Sequence, residues 1–422
     1  MRIAIIAAGS RGDVQPPAGL AAALAARGHA VRFIAPPEFG ALVPPGIAFA
    51  PLPIDIRAEL GASQMFERGR NPIVFIRNFL EMSRRLARDM TIACRDATNA
   101  CDVVVGTGLA DYAASCAAEY WKVPCVHGFM QPLIASRDFP SPLVPPLPFR
   151  LPGWINRLQS KAMAGAIWLP VRLIANSVVR KTLNLAPSPL ALPVEAEARR
   201  GEPMAMAYSR HLLPRGSDWP ANVEVTGFWF LDAPHDWAPP QGLTRFLDNG
   251  DPPVYVGFGS MVMKDPRATL RAVLDAIAQA GCRAVISAGW GAMRADNLPP
   301  QVFAIDEAPH DWLFPRMAAV VHHGGAGTTG AALRAGKPSV VVPFLLDQFF
   351  WGARLKAIEV APAAIPHRRL TAAKLGTALK QVLGDAAMRA HAQAVGEAVR
   401  AEDGIGRMVA MIESAAPVQP AR

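Results

Sequence analysis

The chain has 422 residues, 51% apolar and 18% charged, with a net charge of +9. That length exceeds one ordinary core and sets two domains as the expectation, and the composition excludes a disordered chain. Five cysteines, an odd number without a C-x-x-C pair, argue against a disulfide framework or a zinc site and point to a reducing, cytoplasmic setting.

The N-terminal run 2–8, RIAIIAA, is too short for a signal-peptide core and reads as a first strand. A helix is expected from Gln15 to Arg27, closed by Gly28, and a strand over 30–35. The run from Pro72 to Ala97 fits an amphipathic helix, with Ile76, Phe79, Leu80, Leu86, Met90 and Ala93 on one side and Arg77, Arg84, Arg85 and Arg88 outside that stripe. Strands over 102–107 and 124–129 bracket a helix from Leu109 to Trp121. Six prolines between Phe139 and Pro152 mark a rigid loop.

The segment 137–181 then carries seven Arg/Lys against one Asp and holds Trp154, Met163 and Trp168 in an apolar context. Pro170 and Arg172 near its middle argue against a membrane span. Buried helices with basic outer faces are the simpler reading. The sharper one is a basic, aromatic surface in peripheral contact with an anionic membrane at its cytoplasmic side. Nucleic acid is not expected, because the charge is confined to one region and no binding module is recognisable.

Short strands over 204–208 and 223–227 complete a domain over 1–231. Residues 232–241, DAPHDWAPPQ, read as the interdomain linker. A second strand–helix alternation fills 242–400, with strands in 252–260, 283–289, 302–306, 318–323 and 339–343. Helices are expected from Ala372, from Ala386 and over 406–414, the last within a C-terminal stretch 401–422. The alternation implies parallel sheets, so the fold class is α/β: two Rossmann-like domains facing each other across a cleft.

The most informative run is 321–355. Its opening, VHHGGAGTT, places glycines between a strand and a helix start. Glycines let the backbone approach a ligand, and the first N–H groups of a helix attract anions, so a diphosphate fits there. Asp347 and Gln348 follow the next strand, at the carboxyl end where open α/β sheets bind ligands. A carboxylate beside an amide suits sugar hydroxyls. Together they indicate a nucleotide sugar.

The runs VHHGGAGTT, LRAGKP (333–338) and PFLLDQFFWGARL (343–355) resemble the donor signature of family 1, GT-B-fold glycosyltransferases, nearest the sterol-type glucosyltransferases and the antibiotic glycosyltransferases. AAGSRGDVQP (7–16), GFGSM (257–261), SAGWG (287–291) and PHDWLFPR (309–316) fall in the order expected of that family. The resemblance implies an inverting, metal-independent transfer of a hexose from a nucleotide sugar, UDP-glucose in the first instance, to a hydroxyl of an apolar acceptor. It needs no separate cofactor. His323 would meet the α-phosphate, with Gly325, Gly327, Thr328 and Ser260 completing the diphosphate site. Trp290, His310 and Trp312 would surround the base, and Asp347 and Gln348 the hexose. Asp13 would be the general base, flanked by Arg11 and Gly12. Plant relatives carry a histidine near here and this chain has none, so Asp13 would act alone or with help from Asp111 or His127, which otherwise read as structural. The alternative for Asp13 is a cap on the helix from Gln15. Trp154, Met163 and Trp168 mark the acceptor region. Leu346 and Phe349 stand where sterol-type relatives tend to have Gly and Pro. A non-catalytic partner protein and a nucleotide-sugar epimerase are the rival readings. An epimerase would convert a nucleotide sugar without any acceptor.

Overall fold

The computed structural model describes residues 1–55, 72–147, 149–234, 236–261, 263, 265–287 and 298–415. Trp290 and the rest of the SAGWG run after Ser287 lie outside them.

Seven strands form the first sheet: β1 (Arg2–Ala8), β2 (Ala30–Ala35), β3 (Ala48–Pro51), β4 (Val103–Gly108), β5 (Cys125–Phe129), β6 (Met204–Met206) and β7 (Val223–Val225). Their order is β3-β2-β1-β4-β5-β6-β7, parallel throughout. Five more form the second: β8 (Val254–Gly257), β9 (Ala284–Ser287), β10 (Val302–Ile305), β11 (Ala319–His322) and β12 (Ser339–Val341). Their order is β10-β9-β8-β11-β12, again parallel.

The first domain carries helices α1 (Arg11–Ala26), α2 (Pro72–Ala97), α3 (Asp111–Trp121), α4 (Gly153–Ile174) and α5 (Pro193–Arg199). The second carries α6 (Gln241–Asp248), α7 (Pro266–Ala280), α8 (His310–Leu313), α9 (Ala326–Arg334), α10 (Asp347–Ala357), α11 (Ala372–Gly384), α12 (Ala386–Arg400) and α13 (Gly404–Ala415). Helices cover both faces of each sheet, which is why the strands read as continuous apolar runs. On β1, Ile3 and Ile5 join the core on one face, while Ala4 and Ile6 join a second core on the other. On β8, Val254 and Val256 point one way and Tyr255 the other.

Several boundaries differ from the sequence reading. Helix α1 starts at Arg11, not Gln15, and carries Pro16 and Pro17 inside it. The expected cap at Asp13 is replaced by Ser10 at the N-cap, with Asp13 inside the first turn reaching back to it. Helix α3 starts at Asp111 rather than Leu109. Helix α4 runs through Pro170 into a π-helical turn, Ala175–Arg180. Between Val225 and Gln241 the described residues form neither strand nor helix. Helix α13 returns to the first domain and packs on α1. Its Glu413 meets Arg27 at 3.0 Å and His29 at 2.9 Å.

Candidate active site

Loops at the carboxyl ends of the two parallel sheets meet. Arg11, after β1, pairs with Glu307, after β10, at 2.7 Å. Gln131, after β5, donates its side-chain N–H to Asp347 Oδ2, after β12, at 3.2 Å. These contacts place the mouths of both domains against one cleft, where open α/β sheets bind ligands.

The second domain supplies a glycine-rich turn between β11 and α9. His322 is fully buried at the end of β11, and its Nδ1 accepts the Gly324 N–H at 3.1 Å. That bond turns the chain, so His323 leaves the sheet and α9 begins at Ala326 with Gly325 as its N-cap. The N–H groups of Ala326, Gly327 and Thr328 open that helix and need partners from outside it. Gly324 has φ +91°, and a Cβ there would stand 2.8 Å from Val341 Cγ1 and 2.9 Å from the Gln348 carbonyl oxygen. Only glycine lets the loop after β11 lie this close to α10.

His323 sits between the loops. Its ring packs where a Cβ on Gly259 or Gly325 would go, at 3.1 Å from Cε1 and 2.5 Å from Nε2. Ser260, half-buried, is the next residue of the Gly259 loop. His323 Nδ1 is buried with no protein partner. Burial lowers the imidazole to a pKa of about 4, so it is neutral at physiological pH.

His310 stacks on Phe314, centroids 4.2 Å apart, and meets the edge of Tyr255. Burial, then the charges of Arg11 and His323, take it to about 4. Trp312 packs against Trp237 and under the Arg316 guanidinium, so in this conformation its ring is engaged by the linker.

Asp347 and Gln348 open helix α10 rather than extending a strand. Asp347 Oδ2 takes both the Gln131 bond and one from Trp351 Nε1 at 3.1 Å. Burial raises its pKa to about 6, and the negative charge of Asp13 contributes to the rise. Gln348 is buried. Its Oε1 accepts the N–H groups of Phe344 and Leu345, and its Nε2 faces Met261 Sδ at 3.2 Å. It therefore shapes the loop that carries Asp347. Immediately before Asp347 stands Leu346, exposed, with φ 48° and ψ −131°. That conformation suits glycine and strains a leucine.

From the first domain comes Asp13. Its Oδ2 accepts the Ser10 N–H at 2.8 Å and the Ser10 hydroxyl at 2.9 Å. Its Oδ1 lies 3.9 Å from where a Cβ on Gly108 would be, at the end of β4. Burial raises its pKa, and the two Ser10 bonds restrain the rise. Gly12 and Arg11 are exposed beside it.

Other named residues have contacts of their own within the first domain. His127 and Asp111 bond to each other at 2.7 Å inside the first domain. Trp168 is buried against Tyr112, Met163 is half-buried, and Trp154 is on the surface. Sequence reading missed Gln131 and Glu307. A signal existed for Gln131, which follows β5 at its carboxyl end. Glu307 has no pattern of its own and is found only through Arg11.

The chain matches two family models: the glycosyltransferase family 28 N-terminal domain over residues 3–127, and the erythromycin biosynthesis protein CIII-like C-terminal domain over residues 271–411. The sterol 3-beta-glucosyltransferase UGT80B1 of Arabidopsis thaliana is 32% identical over 419 residues, 97% of this chain and 67% of that protein. A sterol 3-beta-glucosyltransferase of Cryptococcus neoformans is 33% identical over 98% of this chain and 27% of its own length. The chain thus spans about two thirds or less of these curated relatives. Among solved structures, the glycotransferase of kitacinnamycin superposes with a TM-score of 0.70 at 19% identity, covering 99% of each chain. The calicheamicin glycosyltransferase CalG4 gives 0.69 at 17% identity, covering 98% of each.

Replacing the strained residue tests the local geometry. Leu346→Gly should raise the unfolding free energy by about 1 kcal/mol in urea titrations, because the side chain is exposed and the backbone conformation is unfavourable for any Cβ. A loss of stability would show that packing of the leucine outweighs the strain.

Proposed function

Because the chain belongs to the family 1 glycosyltransferases of GT-B fold, we propose that it moves a hexose, with UDP-glucose as the first candidate donor, to a hydroxyl of a sterol-like or other apolar acceptor. The observation that carries this reading is the pairing across the cleft. Asp13 from one domain and Asp347 from the other stand within electrostatic reach, with the His323 loop on Asp347's side.

In this reading the diphosphate lies on the first turn of α9. The N–H groups of that turn and the neutral His323 imidazole, as a hydrogen-bond donor, stabilise the charge that builds on the leaving group. These donors supply what a metal ion supplies elsewhere, so the proposed transfer is metal-independent. Asp347 accepts hydrogen bonds from the hexose hydroxyls, and Gln131 and Trp351 fix its orientation. The acceptor oxygen attacks the anomeric carbon from the face opposite the diphosphate. The bond to the diphosphate breaks, the configuration inverts, and Asp13 takes the acceptor proton. A carboxylate with a raised pKa is suited to that step. Asp13→Asn should lower kcat by about 10²–10⁴ while nucleotide affinity stays unchanged. Full turnover in the variant would remove Asp13 from the base role.

The acceptor's apolar character agrees with the surface of the first domain. Along α4, Trp154 is 64% and Leu173 65% exposed, and Leu158 and Leu169 are exposed as well. Leu147 and Phe149 of the preceding loop are also exposed. The helical run Gly153–Arg180 is long and apolar enough to cross a membrane, with only 17% of its most apolar window buried. Much of the segment's positive charge is engaged within the domain: Arg180 with Glu119, Arg157 with Asp218, Lys161 with Glu195. Arg137, Arg150 and Lys181 remain at the surface. This supports the helix lying on an anionic bilayer, apolar side down, rather than spanning it. The five free cysteines agree with a reducing compartment, so the proposed location is cytoplasmic, peripheral at the inner membrane face. Flotation with phosphatidylserine vesicles should recover the protein at low salt, less at high salt, and little of a Trp154→Glu, Leu158→Glu double variant. Salt-independent or absent flotation of the native chain rejects the contact.

A further inference from the structure

Beneath the first sheet's carboxyl end lies a polar cluster that the proposed transfer does not use. His127 on β5 is 0% exposed, Asp111 at the start of α3 is buried, and Glu197 on α5 is 2% exposed. His127 Nδ1 lies 2.7 Å from Asp111 Oδ1 and 3.9 Å from Glu197 Oε2. One ligand atom from each of the three residues falls within 4.8 Å of the other two. On its far side, His127 Nε2 lies 2.8 Å from Glu202 Oε2.

Three carboxylates surround one imidazole; Glu202 is also paired with Arg200 at 2.6 Å, which leaves Asp111 and Glu197 to share His127 inside the domain. A buried polar atom without a partner is costly. Glu197 Oε1 accepts the Ser115 hydroxyl at 3.0 Å, but its Oε2 is buried with no hydrogen-bond partner and faces His127 Nδ1.

We propose that Asp111, His127 and Glu197 form a structural binding site for a divalent transition metal, zinc foremost, that ties α3, β5 and α5 together. Zinc takes imidazole nitrogen and carboxylate oxygen at about 2.0–2.2 Å, so its ligand atoms stand a little over 3 Å apart, between the separations found here. The His127–Glu202 pair is the outer arrangement that metal-bound histidines use: a carboxylate accepts the N–H of one ring nitrogen and leaves the other with its lone pair toward the metal. A cation there would also give the partnerless Glu197 Oε2 a partner. Imidazole nitrogen favours zinc over magnesium or calcium. The site holds the scaffold and is separate from the sugar-transfer centre at Asp13 and Asp347.

The test uses the untagged full chain, stripped with a chelator and dialysed. Titration with zinc chloride, followed by calorimetry and by elemental analysis after gel filtration, should give one zinc per chain. Glu197→Gln and Asp111→Asn should each weaken binding more than about tenfold, with circular dichroism reporting that they remain folded. Cobalt(II) added to the native chain should give visible ligand-field bands that saturate at one equivalent, which decides the matter if a variant does not fold. No stoichiometric uptake of zinc, undiminished uptake in both variants, or cobalt without those bands overturns the site.

Discussion

The arrangement depends on two parallel sheets meeting carboxyl end to carboxyl end. Every strand in both sheets runs parallel, so each sheet gathers its β-to-α loops at one end. The Gln131–Asp347 bond and the Arg11–Glu307 pair bring those two ends together. Neither sheet alone holds both the proposed base and the proposed phosphate cradle. The first sheet places Asp13 one turn into α1, and the second places His323, the start of α9 and Asp347. Helix α13 reinforces the seam by crossing back onto α1, where Glu413 meets Arg27 and His29.

Electrostatics at the seam run in two directions. His310, His322 and His323 are lowered to between about 3 and 4, mainly by burial. Each contributes stability above its ordinary pKa of 6.5 that is lost as pH falls through its folded value. Asp347, raised to about 6, acts in the opposite sense. Its protonated form is favoured in the fold, so it stabilises below its ordinary value of 3.8, and that contribution is lost as pH rises through 6. A site that keeps its histidines neutral and its carboxylates basic is suited to holding an anion while accepting a proton.

Much of this was legible in the sequence because local chemistry and tertiary role coincide. Strands such as 2–8 and 103–108 are apolar on both faces, and a parallel sheet covered on both sides demands that. Gly324 and Gly325 mark a place where a Cβ would clash, and the turn they make is the one observed. Four features were not legible. The start of α1 was read late because Pro16 and Pro17 weaken a helical pattern, yet the helix carries both within its first half. Gln348 reads as a sugar ligand by position; that its Oε1 also ties the loop that presents Asp347 and its Nε2 faces Met261 has no signal in the sequence. Glu197 lies far from Asp111 and His127 in sequence, so their cluster is invisible to spacing arguments. The apolar face of α4 was read mainly as buried helix; the fold instead leaves Trp154, Leu158, Leu169 and Leu173 exposed.

Calorimetric titration with UDP and with TDP, on the native chain and on His323→Ala, tests the central claim most directly. The account predicts that UDP binds one to one, in preference to TDP, and at least about tenfold more weakly in the variant, a loss of about 1.4 kcal/mol or more. Equal UDP affinity in the two proteins would contradict the phosphate role of the His323 loop, and a chain that binds neither nucleotide would contradict the donor site altogether.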